Sequence, residues 1–180
     1  MSQTPPAAAY IERAIRNVPD FPKPGIQFKD ITPVLADARL LSGCIDLLTD
    51  NFKPGQVDAV VGIDARGFIF AAAAAVKLRA GFVPIRKKGK LPYQTHEQQY
   101  DLEYGTATVA VHVDALKPGN RVLLIDDLLA TGGTAAAAAM LVQRLGGQIL
   151  EISFLIELSF LGGRQKLKGY PVRSLVVFST

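Results

Sequence analysis

The chain has 180 residues and 19.3 kDa, the size of one domain with enough interior for a core that needs no disulfide or metal staple. With 49% hydrophobic and 20% charged residues, 16 Gly and 11 Pro, it is not a disordered, collagen-like or low-complexity polymer. The net charge is +4, and Arg86, Lys87, Lys88 and Lys90 alone supply four positive charges, so the basicity is local and suits a small polyanion rather than nucleic acid.

In chain order, Ala7 to Asn17 reads as a short helix. Pro19, Pro22, Pro24 and Gly25 then predict an extended, turn-rich passage through Phe28 to Pro33, too proline-rich for a central strand. Asp37 to Phe52 places Leu40, Leu41, Cys44, Ile45, Leu47 and Leu48 at helical spacing, and Pro54-Gly55 closes this amphipathic helix. Val57 to Ile63 predicts a buried strand, Phe68 to Leu78 a helix of small residues, and Phe82 to Ile85 a second strand, together a βαβ unit. Residues 87–105 are expected as a mobile loop, because Lys87 to Gln99 is polar and aperiodic. Thr108 to Val113 alternates, with Val109, Val111 and Val113 on one face of a half-solvated strand. After a turn at Lys117 to Asn120, Val122 to Ile125 is a short buried strand. A helix follows from Thr134 to Leu145, ended by Gly146-Gly147, and the last strands are Gln148 to Ile156 and Val172 to Phe178. This alternation predicts an α/β fold, a parallel sheet with helices on both faces and ligands at the carboxyl ends of its strands. The runs Ala71 to Ala75 and Ala135 to Ala139 read as helix-forming sequence that lets helix and sheet approach closely.

A single cysteine, Cys44, excludes an intramolecular disulfide framework and a multi-cysteine zinc site. His96 and His112 leave little for a histidine metal cluster. No apolar run reaches the roughly 18 residues of a membrane span, and the first ten residues lack the pattern of a secretory signal. A cytoplasmic protein with no membrane and no nucleic-acid partner is the expectation.

The most informative segment runs from Val122 to Thr134: four apolar residues, the adjacent carboxylates Asp126 and Asp127, then Leu128, Leu129, Ala130, Thr131, Gly132, Gly133 and Thr134 leading into a helix. Thr131 to Thr134 can aim several backbone N–H groups and two hydroxyls at one point, where a helix N-terminus already favours negative charge. That is a monophosphate cradle, and it is neither a Walker loop nor a Gly-x-Gly-x-x-Gly dinucleotide turn. The two acids would repel a phosphate directly and are better placed on a neighbouring sugar's hydroxyls or near its bound cation. Asp64-Ala65-Arg66-Gly67 is a second anion-friendly turn between strand and helix. Phe28 can be plain core or a ring that stacks on a flat base while backbone groups around Gln27 and Lys29 read its edge.

Residues 126–134 resemble the signature of the type I phosphoribosyltransferases, which bind 5-phosphoribosyl-1-pyrophosphate (PRPP) with magnesium. Four further blocks, residues 21–33, 62–68, 85–92 and 102–105, resemble adenine phosphoribosyltransferases and stand in that family's order. The resemblance implies a phosphoribosyltransferase-like core with an N-terminal helix and base-binding hood over residues 1–34, in a single domain of residues 1–180. It implies adenine recognition by Gln27, Phe28 and Lys29, and phosphate and ribose binding by Asp126 through Thr134. Pyrophosphate would fall to Asp64, Ala65, Arg66, Arg86, Lys87 and Lys90, with Glu103, Arg66 and Lys87 in catalytic roles and Tyr104 in closure of the site. Magnesium would come with PRPP, with Asp126 and Asp127 as the candidate side chains to touch it, and the assembly would be a homodimer. Ala130 stands where hypoxanthine-guanine members carry an aspartate, so Glu103 would handle the purine proton. A PRPP-sensing regulator and a transferase for another base are the competing readings.

Overall fold

A strand buried on both faces reads as an unbroken apolar run, and two such runs organise this chain. The computed structural model describes residues 8–101 and 105–180. They fall into two units, one ending at Leu47 and the other spanning Leu48–Thr180.

In the first unit, α1 (Ala8–Ala14) is followed by β1 (Arg16–Pro19), which pairs antiparallel with β2 (Gln27–Asp30) in a two-stranded sheet. The helix expected to reach Asn17 therefore stops three residues early. Pro19 disfavours helical backbone in the residue before it, and Asn17 and Val18 instead pair with Lys29 and Phe28. Arg16 donates to the Asp30 carboxylate through Nε at 3.0 Å, and the Thr32 N–H donates to its other oxygen at 2.9 Å. The Thr32 amide first, and Arg16 second, hold the Asp30 carboxyl at about 2. Next come α2 (Thr32–Ala36), with Pro33 in its first turn where a missing N–H is harmless, and α3 (Ala38–Thr49). Asp37 caps α3, its Oδ1 accepting the N–H groups of Arg39 and Leu40 at 2.8 and 3.0 Å. Cys44 is buried, and burial pushes its thiol up to about 12, which leaves it inert at neutral pH.

In the second unit, seven strands among the described residues form one sheet in the order β5-β6-β4-β3-β7-β8-β9. At its centre, β3 (Ala59–Ile63) is buried at every position and runs parallel to β4 (Gly81–Lys87) and to β7 (Arg121–Leu129). β7 pairs with β8 (Gln148–Leu158), and β8 with β9 (Val172–Phe178), all parallel. The crossover helix α4 (Gly67–Leu78) covers one face and α5 (Gly133–Arg144) packs into the core of the other, beside Val61, Ile63, Leu124 and Phe154. Both alanine runs do what their size allows. Ala71, Ala74 and Ala75 are buried on α4, and Ala135, Ala137, Ala138 and Ala139 on α5. At Gly62 the approach is so close that a Cβ would lie 2.6 Å from the Ala71 Cβ. No helix among the described residues is long and apolar enough to cross a membrane.

Two expectations need correction. The polar stretch from Lys87 to Gln99 is not one loop: Lys87 closes β4, and Thr95 onward forms β5 (Thr95–Asp101), paired in full antiparallel register with β6 (Thr106–His112). β5 is an edge strand, and its polar side chains hide it from a search for apolar alternation. β7 also continues past Ile125, because Asp126, Leu128 and Leu129 go on pairing with Phe154, Ile156 and Glu157 of β8. The acid pair thus lies inside a strand and not beyond its end.

Phe154 is fully buried in the α5-side core. Phe154→Ala should lower unfolding free energy by about 3–5 kcal/mol in urea titration, and a loss below about 1 kcal/mol would contradict this packing.

Candidate active site

The site is built where β3, β4 and β7 end. The Asp64–Arg66 turn leads from β3 into α4, Arg86 and Lys87 finish β4, and Asp126 to Thr134 carry the chain from β7 into α5. A cavity of about 340 Å³ opens between these segments, lined by Asp64, Ala65, Arg66, Arg86, Lys87, Tyr100, Asp126, Asp127, Leu128, Ala130 and Thr134. Beside it the 130–135 turn encloses a smaller hollow of about 70 Å³.

That hollow has the makings of an anion site. Gly132 holds φ +77°, a left-handed conformation that a side chain would strain, and turns the chain into α5. The N-cap residue of α5, Gly132, has no side chain to cap the first turn and no acidic residue sits in that turn, so the positive end of the helix dipole at the hollow favours an anion. Thr131, Gly132, Gly133 and Thr134 all line the hollow, whereas Leu129 is buried at its base. Tyr100 of β5 presses on this turn from the other side, since a Cβ on Gly133 would lie 3.0 Å from its ring. Tyr100 lines the cavity as well, and it carries no motif signal: it becomes visible only once β5 is known to pair with β6.

Asp126 and Asp127 are both buried, 9% and 7% exposed. Asp126 Oδ1 accepts the Asp127 N–H at 2.9 Å and lies so near the start of α4 that a Cβ on Gly67 would fall 2.4 Å from it. Asp127 pairs with Arg66 at 2.8 Å. Burial pushes the Asp126 carboxyl well above the usual carboxylate range, with the neighbouring Asp127 charge adding to it. Burial raises Asp127 too, opposed by the Arg66 guanidinium. The structure therefore links two motifs far apart in sequence, the Arg66 turn and the acid pair, through one ion pair.

Among the other cations, Arg86 donates through Nε to Asp64 at 2.9 Å and through Nη1 to the Lys90 carbonyl at 3.0 Å. Asp64 thus acts on the site through Arg86. Lys87 lines the cavity, while Lys88 turns to Glu97 at 2.7 Å and Lys90 contributes its carbonyl to the brace. In the N-terminal unit, Gln27, Phe28 and Lys29 stand on β2. Phe28 meets Phe21 edge to face at 5.1 Å, and Lys29 donates to Asn17 Oδ1 at 2.7 Å. Glu103 and Tyr104 lie outside the described residues.

Among the described residues no group of three or more His, Cys, Asp or Glu is arranged to hold a metal. A magnesium ion needs less than that: it is usually bound by one or two carboxylates together with substrate phosphates and waters. The buried carboxylate oxygens of Asp126 and Asp127 are a donor set of that kind.

A mostly parallel sheet with an anion cradle after one strand, a cationic turn after another and a carboxylate pair in the strand that leads to the cradle is the architecture of a phosphoribosyl transferase domain, and residues 29–175 match that family. The adenine phosphoribosyltransferase of Acidothermus cellulolyticus is 57% identical over 174 residues, covering 96% of this chain and 98% of its own length. The crystal structure of adenine phosphoribosyltransferase from Rhodothermus marinus superposes with a TM-score of 0.90 at 52% identity, covering 95% of this chain and 98% of that one. That of the Saccharomyces cerevisiae enzyme, complexed with D-2,5-dideoxy-2,5-imino-altritol 1,6-bisphosphate and adenine, gives 0.88 at 40% identity, covering 93% and 97%. This chain belongs to the adenine phosphoribosyltransferase family.

A carboxyl whose folded pKa is raised loses stability for the fold as pH climbs from its unfolded value through the folded one, because the native state holds the proton longer. Asp126→Asn should therefore raise the unfolding midpoint at neutral pH by about 2–4 °C, what roughly 1 kcal/mol does in a chain of this size, with the gain vanishing below about pH 3.8. The same change should cut product formation by about a hundredfold or more. Scanning calorimetry across pH tests the first part, and a lower midpoint at neutral pH would contradict the account of the burial.

Proposed function

We propose that the chain transfers the 5-phosphoribosyl group of PRPP to adenine, giving AMP and pyrophosphate with inversion at the anomeric carbon. The observation that carries this reading is the arrangement at the strand ends, where a phosphate-sized helix N-terminus and a cationic turn flank two buried carboxylates in one cavity. Such a cavity suits a sugar with a monophosphate at one end and a leaving diphosphate at the other.

Each group then has a task. The N–H groups and hydroxyls of Thr131 to Thr134 hold the 5-phosphate, with Leu128, Leu129 and Ala130 shaping the approach. Asp126 and Asp127 hold the ribose hydroxyls and offset the positive charge that develops on the sugar ring as the carbon–oxygen bond to pyrophosphate breaks. Arg66 and Lys87 take up the negative charge of the departing pyrophosphate, beside the backbone of Ala65. The Asp64–Arg86–Lys90 brace keeps the end of β4 in place. Asp126 and Asp127, together with substrate phosphates, would hold magnesium, which would supply charge neutralisation of the diphosphate.

Adenine recognition is assigned to Gln27, Phe28 and Lys29, the purine proton to Glu103, and closure of the site against water to Tyr104. Ala130 supports adenine over hypoxanthine or guanine, because the carboxylate that hypoxanthine-guanine members place there is absent. The yeast relative, solved with adenine bound, supports the same choice. The test is AMP formation from PRPP and magnesium with adenine, hypoxanthine, guanine, xanthine and orotate offered separately. Adenine alone should react, and Glu103→Gln should slow it by about a hundredfold. Reaction with another base would overturn the pocket assignment, and unchanged turnover of the variant would remove Glu103 from it.

A cytoplasmic homodimer completes the reading. Ile69 and Val76 lie two turns apart on α4 and are exposed, Val76 by 81%, with Phe82 also exposed on β4. Sedimentation should give about twice the chain mass of 19.3 kDa, and Val76→Asp should shift it toward monomer. A monomeric wild type would refute the assembly.

A further inference from the structure

The phosphate cradle has no side-chain cap of its own, yet its backbone is held in one conformation from behind. The holder is the segment after β8, a 3₁₀ turn at Ser159–Leu161 followed by another at Gly163–Leu167. Here two glycine backbones meet. A Cβ on Gly163 would lie 2.1 Å from the Ala130 carbonyl oxygen and 2.9 Å from the Gly132 nitrogen, and a Cβ on Gly132 would lie 2.3 Å from the Gly163 carbonyl oxygen. No side chain fits between the two segments, so any movement of Gly163 is felt directly by the cradle.

Gly163 is pinned on both sides. On one, Leu167 is buried in the core that α5 shares. On the other, Arg164 spreads its guanidinium over three acceptors: the Glu157 carboxylate, gripped by two nitrogens with Nε at 3.0 Å, the Val172 carbonyl at 2.8 Å and Ser174 Oγ at 3.3 Å. Ser174 in turn donates to Glu157 at 2.6 Å. Glu157 is 5% exposed near the carboxyl end of β8, paired with the same stretch of β7 that runs into the cradle. Arg164 and Ser174 hold its carboxyl below the usual range, so the grip is ionic at neutral pH.

We infer that Arg164 is a positioning residue for 5-phosphate binding: clamped on Glu157 and Ser174, it seats Gly163 against the Ala130–Gly132 backbone and so keeps the α5 N–H groups converged on one point. This rests on the reading of Thr131 to Thr134 as the phosphate cradle. The clamp is built on β8 and β9, which lie across β7 from β3 and the cationic Arg66 turn that follows it, so loosening it should weaken ligands that carry the sugar phosphate and spare those that do not.

The test is calorimetric binding of ribose 5-phosphate and of inorganic pyrophosphate to wild type and to Arg164→Gln, with thermal unfolding as a control for folding. Ribose 5-phosphate should bind the variant about tenfold to a hundredfold more weakly, pyrophosphate within about twofold of wild type, and the KM for PRPP should rise while that for adenine stays. Arg164→Lys, which keeps one charged contact to Glu157, should recover part of the loss. Ser174→Ala, which removes the bond to Glu157 and the longer one from Arg164 but leaves the Arg164–Glu157 ion pair, is the milder variant should Arg164→Gln fail to fold, and should shift ribose 5-phosphate in the same direction by a few-fold. Equal weakening of both ligands, or an unchanged ribose 5-phosphate affinity in a folded variant, would overturn the inference. Failure of wild type itself to bind ribose 5-phosphate would overturn the cradle reading instead.

Discussion

Two adjacent carboxylates buried within a central strand, β7, are the constraint around which the second unit is arranged. A buried ionised carboxyl must be matched by nearby positive charge or hydrogen-bond donors, or it takes up a proton. Asp127 is matched by Arg66, and Asp126 by the Asp127 N–H and the start of α4. Neither match is complete, since both carboxyls remain above their ordinary range. Both residues also line the cavity, and there a ligand with hydroxyls or an associated cation would give them further partners.

The small residues of the fold follow from this. For the N-terminus of α4 to reach Asp126, the helix must lie almost on the sheet, which requires Gly62 beneath Ala71 and no side chain on Gly67. For α5 to begin at the cradle, the turn needs Gly132 at positive φ and Gly133 beneath Tyr100. The two alanine runs continue the same close approach along each helix. Bulkier side chains at these points would strengthen neither core without lifting a helix end away from the ligand.

Much of this is legible in the sequence because it is local. The β3–α4–β4 unit, the strand–turn–helix at the cradle and the cationic turn after β3 each declare themselves within one continuous stretch of chain, through an apolar run followed by glycine and charge. What is not legible depends on pairing across the chain. β5 carries Thr95, His96, Glu97, Gln98 and Gln99, and it is a strand only because β6 offers a matching register. The extension of β7 through Leu129 depends on β8. The Arg66–Asp127 pair and the Gly132–Gly163 contact join residues whose neighbours in sequence give no hint of each other. Gly163 and Arg164 look like an ordinary surface turn until the tertiary contact is seen.

Carboxyl titration sets fold and site against each other. Arg121 holds the Asp58 carboxyl at about 2, and the grip on Glu157 lowers that group too. Groups with depressed folded values support the fold above their unfolded pKa and lose that support as pH falls toward the folded value. Asp126 and Asp127 run the other way: as pH rises through the unfolded value near 3.8, the unfolded chain ionises before the native one does, and the fold gives up stability. At neutral pH the Asp58 and Glu157 ion pairs support the fold while burial of the acid pair opposes it. A ligand that satisfies those two carboxylates restores stability in proportion to its binding, so occupancy of the site and integrity of the sheet that builds it are thermodynamically linked through Asp126 and Asp127.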